Sequence, residues 1–266
     1  MRKVGVLLLL YLSAAMALAQ SPAVAEGGIV NGVTYAAGQP VAPGSIASIF
    51  GSDLAASLAQ ADSVPLSFSM ADVSVSVNGM PAPLFFVSPG QINIQVPWNV
   101  LPDAADNGVA TVVVSRGQLK SIARSVNIAS VSPAIFTVGP DGVGNAIAIN
   151  SDGSIAAPVG SIPGLLTHPA GIGQPLVILA SGLGSVTPVD ADGANSVDQL
   201  RSTVHIPDVL VGGQPAQLLF SGLSPSFTAV NQVNAVVPSV SAGSAVPLQL
   251  RFGDLVTSDK VTIAVQ

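Results

Sequence analysis

The 266-residue chain reads as an all-β protein, a leader followed by two β-sandwich domains in tandem. Three observations carry that reading. Short runs of alternating apolar and polar residues recur between Gly, Pro, Asn and Ser clusters, about seven to each half of the chain. Helix-period patterning is almost absent, and the two halves repeat one order of signals.

The leader comes first. MRK precedes VGVLLLLYLSAAMALA (4–19), a basic start followed by an apolar run too short for a comfortable membrane span, with Ala17 and Ala19 before Gln20. This is the form of a secretory signal peptide, residues 1–19, with cleavage expected after Ala19 and, as second choice, after Ala25. No cysteine follows to carry a lipid, and no later segment is long and apolar enough to span a bilayer. The expected product is an exported, soluble chain without membrane insertion, secreted or held in the periplasm or at the cell surface, whose stability comes from core burial without disulfides.

Charge narrows the partners. Without Arg2 and Lys3, six of the eight basic residues remain against fourteen acidic ones, a net charge of −8. No basic patch is left to neutralise a phosphate backbone, so nucleic acid is not expected as a partner. Charged residues make up 8% of the chain, where ordinary domains have about a quarter. The 49% of hydrophobic residues are rich in Ala and Val, which suits a β-protein with a weakly charged, hydrogen-bonding exterior.

The repeat begins with GSIASIFGSDL (44–54), answered by GQPLVILASGL (173–183). VSVNGMPAPLFF (75–86) is answered by DVLVGGQPAQLLF (208–220), and Asn78-Gly79 and Gly212-Gly213 are dipeptides that reverse a strand. PGQINIQVP (89–97) then matches NQVNAVVP (231–238), each with an amide pair, Gln91/Asn93 and Gln232/Asn234, on one face of a strand. VATVVVSRG and ARSVNIA close the first half, VPLQLRFG and DKVTIAV the second. Alanine-rich LAASLAQAD (54–62) is the one stretch with the look of one or two helical turns. Between the halves, residues 132–164 predict a β-hairpin, 135–138 with 146–150, packed on the second domain and setting the angle between the two. The domains are therefore placed at 28–131 and 132–266.

Val30-Asn31, Pro43-Gly44-Ser45, Gln91 to Pro97, and Gly182 to Pro188 with Asp192-Gly193 together carry a resemblance. Their order resembles the IPT/TIG type of immunoglobulin-like domain. More closely, it resembles the tandem domain at the C-termini of exported acidobacterial (Solibacter-type) proteins. The resemblance covers nearly the whole mature chain and implies a pair of Ig-like sandwiches. That family has no assigned activity and offers no functional residues to transfer.

Few residues suggest chemistry. There is no cysteine and no Gly-x-Ser-x-Gly elbow. His168 falls in a Pro/Gly loop and His205 at a strand margin, and both read as structural. The acidic phrase VDADG has Ala194 and Asn195 where a calcium loop needs its next ligand and glycine, so it reads as an acidic turn with no metal. No cofactor is implied, and a hydrolase would need a site that the sequence does not announce. Sugar binding rests on aromatic platforms, which makes Trp98, the only tryptophan, a candidate. Phe85, Phe86 and Phe220 lie in strand runs and read as core. Phe227 differs. Eleven residues separate Phe220 from Gln232, against four between Phe86 and Gln91, so Phe227 sits on a seven-residue insertion at a loop tip. The amide pairs recur although the loops beside them differ in length, which favours a device of the fold over a ligand site. The expected function is a non-catalytic module binding an unidentified protein or polysaccharide of the envelope or medium, with a carbohydrate-binding module as the alternative.

Overall fold

The computed structural model describes residues 20–101, 106–139 and 142–266; the expected leader, 1–19, lies outside them. Every regular element among the described residues is a strand. No described helix is long and apolar enough to cross a membrane.

In the first sandwich, β1 (Ala23–Asn31), β2 (Ile46–Ser52), β6 (Gln91–Gln95) and β5 (Leu84–Val87) form one antiparallel sheet in the order β1-β2-β6-β5. A two-residue strand, Ala59–Gln60, ends it. The facing sheet is β8-β7-β3-β4, from β3 (Val73–Val77), β4 (Met80–Ala82), β7 (Asn107–Arg116) and β8 (Arg124–Ala129). This order, with its crossings between sheets, is that of an immunoglobulin-like sandwich. Ile49, Leu54, Leu84, Ile92, Ile94 and Val114 meet in its core, each at most 1% exposed.

The second sandwich repeats the plan. Here β9 (Ala148–Asn150), β10 (Pro175–Ser181), β13 (Asn231–Val236) and the end of β12 (Gln214–Leu223) make one sheet; β15 (Val261–Val265), β14 (Gly243–Phe252), β11 (Asp208–Val211) and the start of β12 make the other. One difference has a single-residue cause. In the first sandwich the strand passing from sheet to sheet is broken between β4 and β5 at Pro83, which has no N–H to donate. The aligned residue, Gln217, pairs with Val236, and β12 runs through, turning at a bulge between Leu218 and Phe220. Leu176, Ile178, Leu183, Leu248, Leu250 and Ile263 fill the second core. The chain is two Ig-like sandwiches in tandem.

The predicted hairpin forms where Thr137 bridges Ala146 and Ile147 N–H donates to Phe136 O at 2.7 Å. Its arms lie along β10, Ala134 opposite Ser181 and Ala148 opposite Ile178. The helical turns expected at 54–62 do not form. Leu54 and Ala55 are drawn into the first core, and Ala59–Gln60 pairs with β5. Burial of an apolar side chain, about 1.5–3 kcal/mol, outweighs the propensity of a few alanines.

Candidate functional site

The recurrent phrases of the sequence meet one another at the joint between the sandwiches. Gln95, at the end of the amide strand β6, is fully buried, and its Oε1 accepts from Gly193 N at 2.6 Å. Leu66 N–H donates to Gly193 O at 2.8 Å, and Trp98 N–H donates to Asp192 Oδ1 at 2.9 Å. The Asp-Gly turn of the second sandwich is thus inserted between the end of β6 and the loop at Leu66 of the first. Gly193 has φ +84°, and a Cβ there would stand 2.9 Å from Leu66 O. Behind it, Gly182 at φ +78° lies so close to the connecting segment that a Cβ would strike Ser132 O. Ser132 in turn takes Asn31 Nδ2 on its carbonyl and Gln39 Nε2 on its hydroxyl, both at 3.2 Å. A further tie runs from Ile46 N–H to Ser181 Oγ (3.3 Å), which donates to Ala229 O (3.1 Å).

Trp98 belongs to this joint, which corrects its reading as a sugar platform. It is 8% exposed and clusters with Val186 and Leu223 of the second sandwich. Its ring lies over Gly44, at φ +71°, where a Cβ would stand 2.0 Å from the nearest ring carbon. No ring face is left for a ligand.

The acidic turn is also more than a turn. Arg201, 6% exposed, pairs with Asp190 at 3.3 Å and with both oxygens of Asp198, at 2.6 and 3.1 Å. Burial pushes the Asp190 carboxyl above its usual range, against the hydrogen bond from Ala191 N–H and the attraction of Arg201. Asp192 is likewise raised by burial, opposed by the bond from Trp98. The signal in the sequence was Arg201, a basic residue eleven positions beyond Asp190 in a chain poor in cations.

His168 lies on a two-residue strand and its Nε2 meets Asp152 Oδ2 at 2.8 Å. Ser154 Oγ donates to the other oxygen of Asp152 at 2.7 Å. Asp152 is lowered to about 2, first by the hydrogen bonds from Ser154 and then by His168, which is itself raised by Pro169 O and Asp152. The letters of a hydrolytic triad are present, but the carboxylate stands between serine and histidine. Ser154 is fully buried and has no bond to the imidazole, so the group cannot generate a nucleophile. His205 is half-buried beside the strand Ser202–Thr203. Among the described residues no group of three or more His, Asp or Glu is placed to hold a metal ion.

Beside the joint, between the first sheet and the insertion of the second sandwich, opens a cleft of about 660 Å³. Phe227 is on its wall, 56% exposed at the tip of the insertion, with Phe85, Phe136, Gln60 and Asp62 around it. Thr228, 6% exposed, also lines the cleft, and its Oγ1 is buried with no partner among the described residues. Phe85, Phe86 and Phe220 are half-buried, which corrects their reading as core. In the run LFFV the bulge between Leu84 and Phe86 breaks the alternation, sends Leu84 and Val87 inward and leaves both rings outside.

The amides bond to each other along their strands, Gln91 Nε2 to Asn93 Oδ1 at 2.8 Å and Gln232 Nε2 to Asn234 Oδ1 at 3.0 Å.

No protein-family model matches the chain, and no curated protein matches it by sequence. Among solved structures, it is similar to the SGBP-B protein of a Bacteroides ovatus mixed-linkage glucan utilization locus, in complex with a mixed-linkage heptasaccharide, at 12% identity and a TM-score of 0.34. That match covers 87% of this chain and 45% of the other. Domains 5–6 of the S-layer protein SbsC match at 12% identity and a TM-score of 0.25, over 92% and 98% of the two chains. The I9–I11 tandem of titin matches at 11% and 0.20, over 85% and 61%. Likeness of this size does not carry over what those proteins bind.

Proposed function

We propose that the protein is a non-catalytic, exported interaction module that holds two Ig-like sandwiches at a fixed angle and offers the cleft between them to a partner in the envelope or outside the cell. The joint is the observation that supports this most. Buried and part-buried hydrogen bonds tie the sandwiches at Gly193, Asp192, Ser132 and Ser181, so both walls of the cleft are in place before a partner arrives. A preformed surface loses less freedom on binding than one assembled by docking. Export is supported by the leader, residues 1–19, which has the form of a secretory signal peptide. A carbohydrate-binding module, the competing reading, is favoured by the rings and neutral polar groups of the cleft.

The test places a photo-crosslinking residue at position 227 and, as a control, at Val109, which is 64% exposed on the other sheet of the first sandwich. With envelope fraction and culture medium present, a discrete adduct is expected at 227 and not at 109. Equal, diffuse labelling at both positions would remove the cleft as the binding surface.

A further inference from the structure

We infer that the cleft continues onto the outer face of the first sheet, and that together they form one binding path for a neutral polysaccharide. This rests on the cleft being the binding surface, and it names what the cleft takes.

The path follows from register. Ala47, Ile49, Ile92 and Ile94 point into the first core, so the residues between them point out. Opposed residues of antiparallel strands share a face, and they fall here into rows. Ile46, at the cleft, is opposite Gln95. The next row runs Ser48–Asn93–Phe86–Gln60; Ser48 is fully buried, Asn93 and Phe86 are half-buried, and Gln60, exposed, also lines the cleft. The row beyond is Phe50–Gln91, with Tyr35 beside Phe50, ring centroids 6.1 Å apart and tilted by 53°. From the Gln95 row to the Gln91 row is about 13 Å at the usual rise of a strand, and the cleft lengthens the path. Rings and amides alternate along it, Phe227, Phe136 and Phe85 first, then Asn93 with Phe86, then Gln91 with Phe50 and Tyr35.

The chemistry suits sugar. Aromatic faces pack on the C–H faces of a pyranose, and amides give and take hydrogen bonds with its hydroxyls. Asn93 Oδ1 accepts from both Gln91 Nε2 and Ser48 Oγ (2.9 Å), which fixes the amide and leaves its Nδ2 protons without an acceptor among the described residues. The unpartnered Thr228 hydroxyl is in the cleft wall. Among the described residues that line the cleft and make up these rows, Asp62 and the Tyr35 phenol are the ionisable groups and none is a cation, so they offer nothing to neutralise an acidic polymer. An added polypeptide strand would need a free edge, and the edge bordering the cleft is two residues long, Ala59–Gln60. In the second sandwich Phe220 stands opposite Asn234 as Phe86 does opposite Asn93, but Val177 and Leu179 occupy the places of Ser48 and Phe50, so the matching face lacks that hydroxyl and that ring.

The test is affinity electrophoresis of the purified protein in gels containing mixed-linkage β-glucan, xyloglucan, galactomannan or amylopectin, with polygalacturonate as the anionic polymer. Titration calorimetry then follows on whichever polymer retards it. Retardation by at least one neutral polymer and not by polygalacturonate is expected. Phe227→Ala and Asn93→Ala should each weaken it about tenfold or more, and Val109→Ala should leave it unchanged. Emission of Trp98 reports that each variant is folded, and Phe227, at an exposed tip, can be truncated without touching either core. No retardation by any neutral polymer, equal retardation by polygalacturonate, or affinity indifferent to both variants overturns the proposal. A polypeptide adduct at position 227 without polysaccharide retention overturns the saccharide alone and leaves the cleft as the binding surface. Neither adduct nor retention removes both.

Discussion

Gly193→Ala is the sharpest perturbation of the joint. An L-residue at φ +84° costs about 1–2 kcal/mol. The new Cβ would stand 2.9 Å from Leu66 O and 3.2 Å from Leu66 N, both main-chain atoms that cannot swing aside. The turn must withdraw, and two hydrogen bonds go with it, Gly193 N to Gln95 Oε1 and Leu66 N to Gly193 O. At a net ~1 kcal/mol each, the total is about 3–4 kcal/mol, more than a hundredfold in the docking equilibrium. The joint contains its own reporter, because Trp98 is the only tryptophan. In a urea titration the wild type should show one transition by Trp98 emission and by far-ultraviolet circular dichroism. In Gly193→Ala the emission should move to the red at lower urea, ahead of the loss of sheet signal. Gln95→Ala, which leaves the Gly193 N–H buried without an acceptor, should do the same by about 1–3 kcal/mol. An emission midpoint in Gly193→Ala equal to that of the wild type would refute the joint as described.

Acid should not open this joint through Asp192. Burial raises its pKa, so the folded state binds the proton more readily than the unfolded chain does. The stability from this group is fully present below the ordinary aspartate value and is lost as pH rises through the raised one. Asp192→Asn keeps an acceptor for Trp98 N–H without the charge, and should flatten the dependence of the Trp98 midpoint on pH above the ordinary aspartate value; an unchanged slope would exclude Asp192 as its source. Arg201→Ala strands the Asp190 carboxylate, whose side chain is 2% exposed, and should cost about 3–5 kcal/mol in thermal or urea unfolding; a loss below 1 kcal/mol, on the order of an exposed pair, would contradict the burial. N-terminal sequencing of the exported chain should begin at Gln20. Cleavage after Ala25 would remove Val24, 2% exposed and part of the first core, and a mature chain starting at Glu26 would refute that expectation.

What could be read in the sequence was what depends on neighbours in the chain. Ile92 and Ile94 alternate with Gln91 and Asn93, and period two alone assigns the inward pair. Leu54 and Leu183 occupy matching places after their strands, and both are fully buried. The joint was not legible, because its bonds cross about a hundred residues, Trp98 to Asp192 and Gln95 to Gly193. Trp98 looked like a platform because composition singles it out, and burial is decided by Val186 and Leu223, which no local pattern ties to it. Phe85 and Phe86 looked like core because a bulge is a single extra residue, invisible in a run of four apolar letters. Phe227 was legible as a loop tip from the length of its insertion, whereas Phe136 and Thr228, across the same cleft, carry no local mark.

The repeated phrases acquire a physical meaning once they are seen to be mated. QINIQVPW of the first sandwich and GLGSVTPVDADG of the second are two sides of one contact: the first supplies an amide oxygen, a main-chain N–H and a ring, the second a carboxylate and a glycine N–H. Such a contact needs few charges, which agrees with a chain so poor in them. It also explains why little of the cleft beyond Phe227 stands out from the sequence. The cleft is a consequence of the angle, and its walls come from the first sheet, the connecting hairpin and the insertion, brought together by the bonds at Gly193, Asp192, Ser132 and Ser181. A binding surface of this kind is written in the joint rather than in the residues that would touch the ligand.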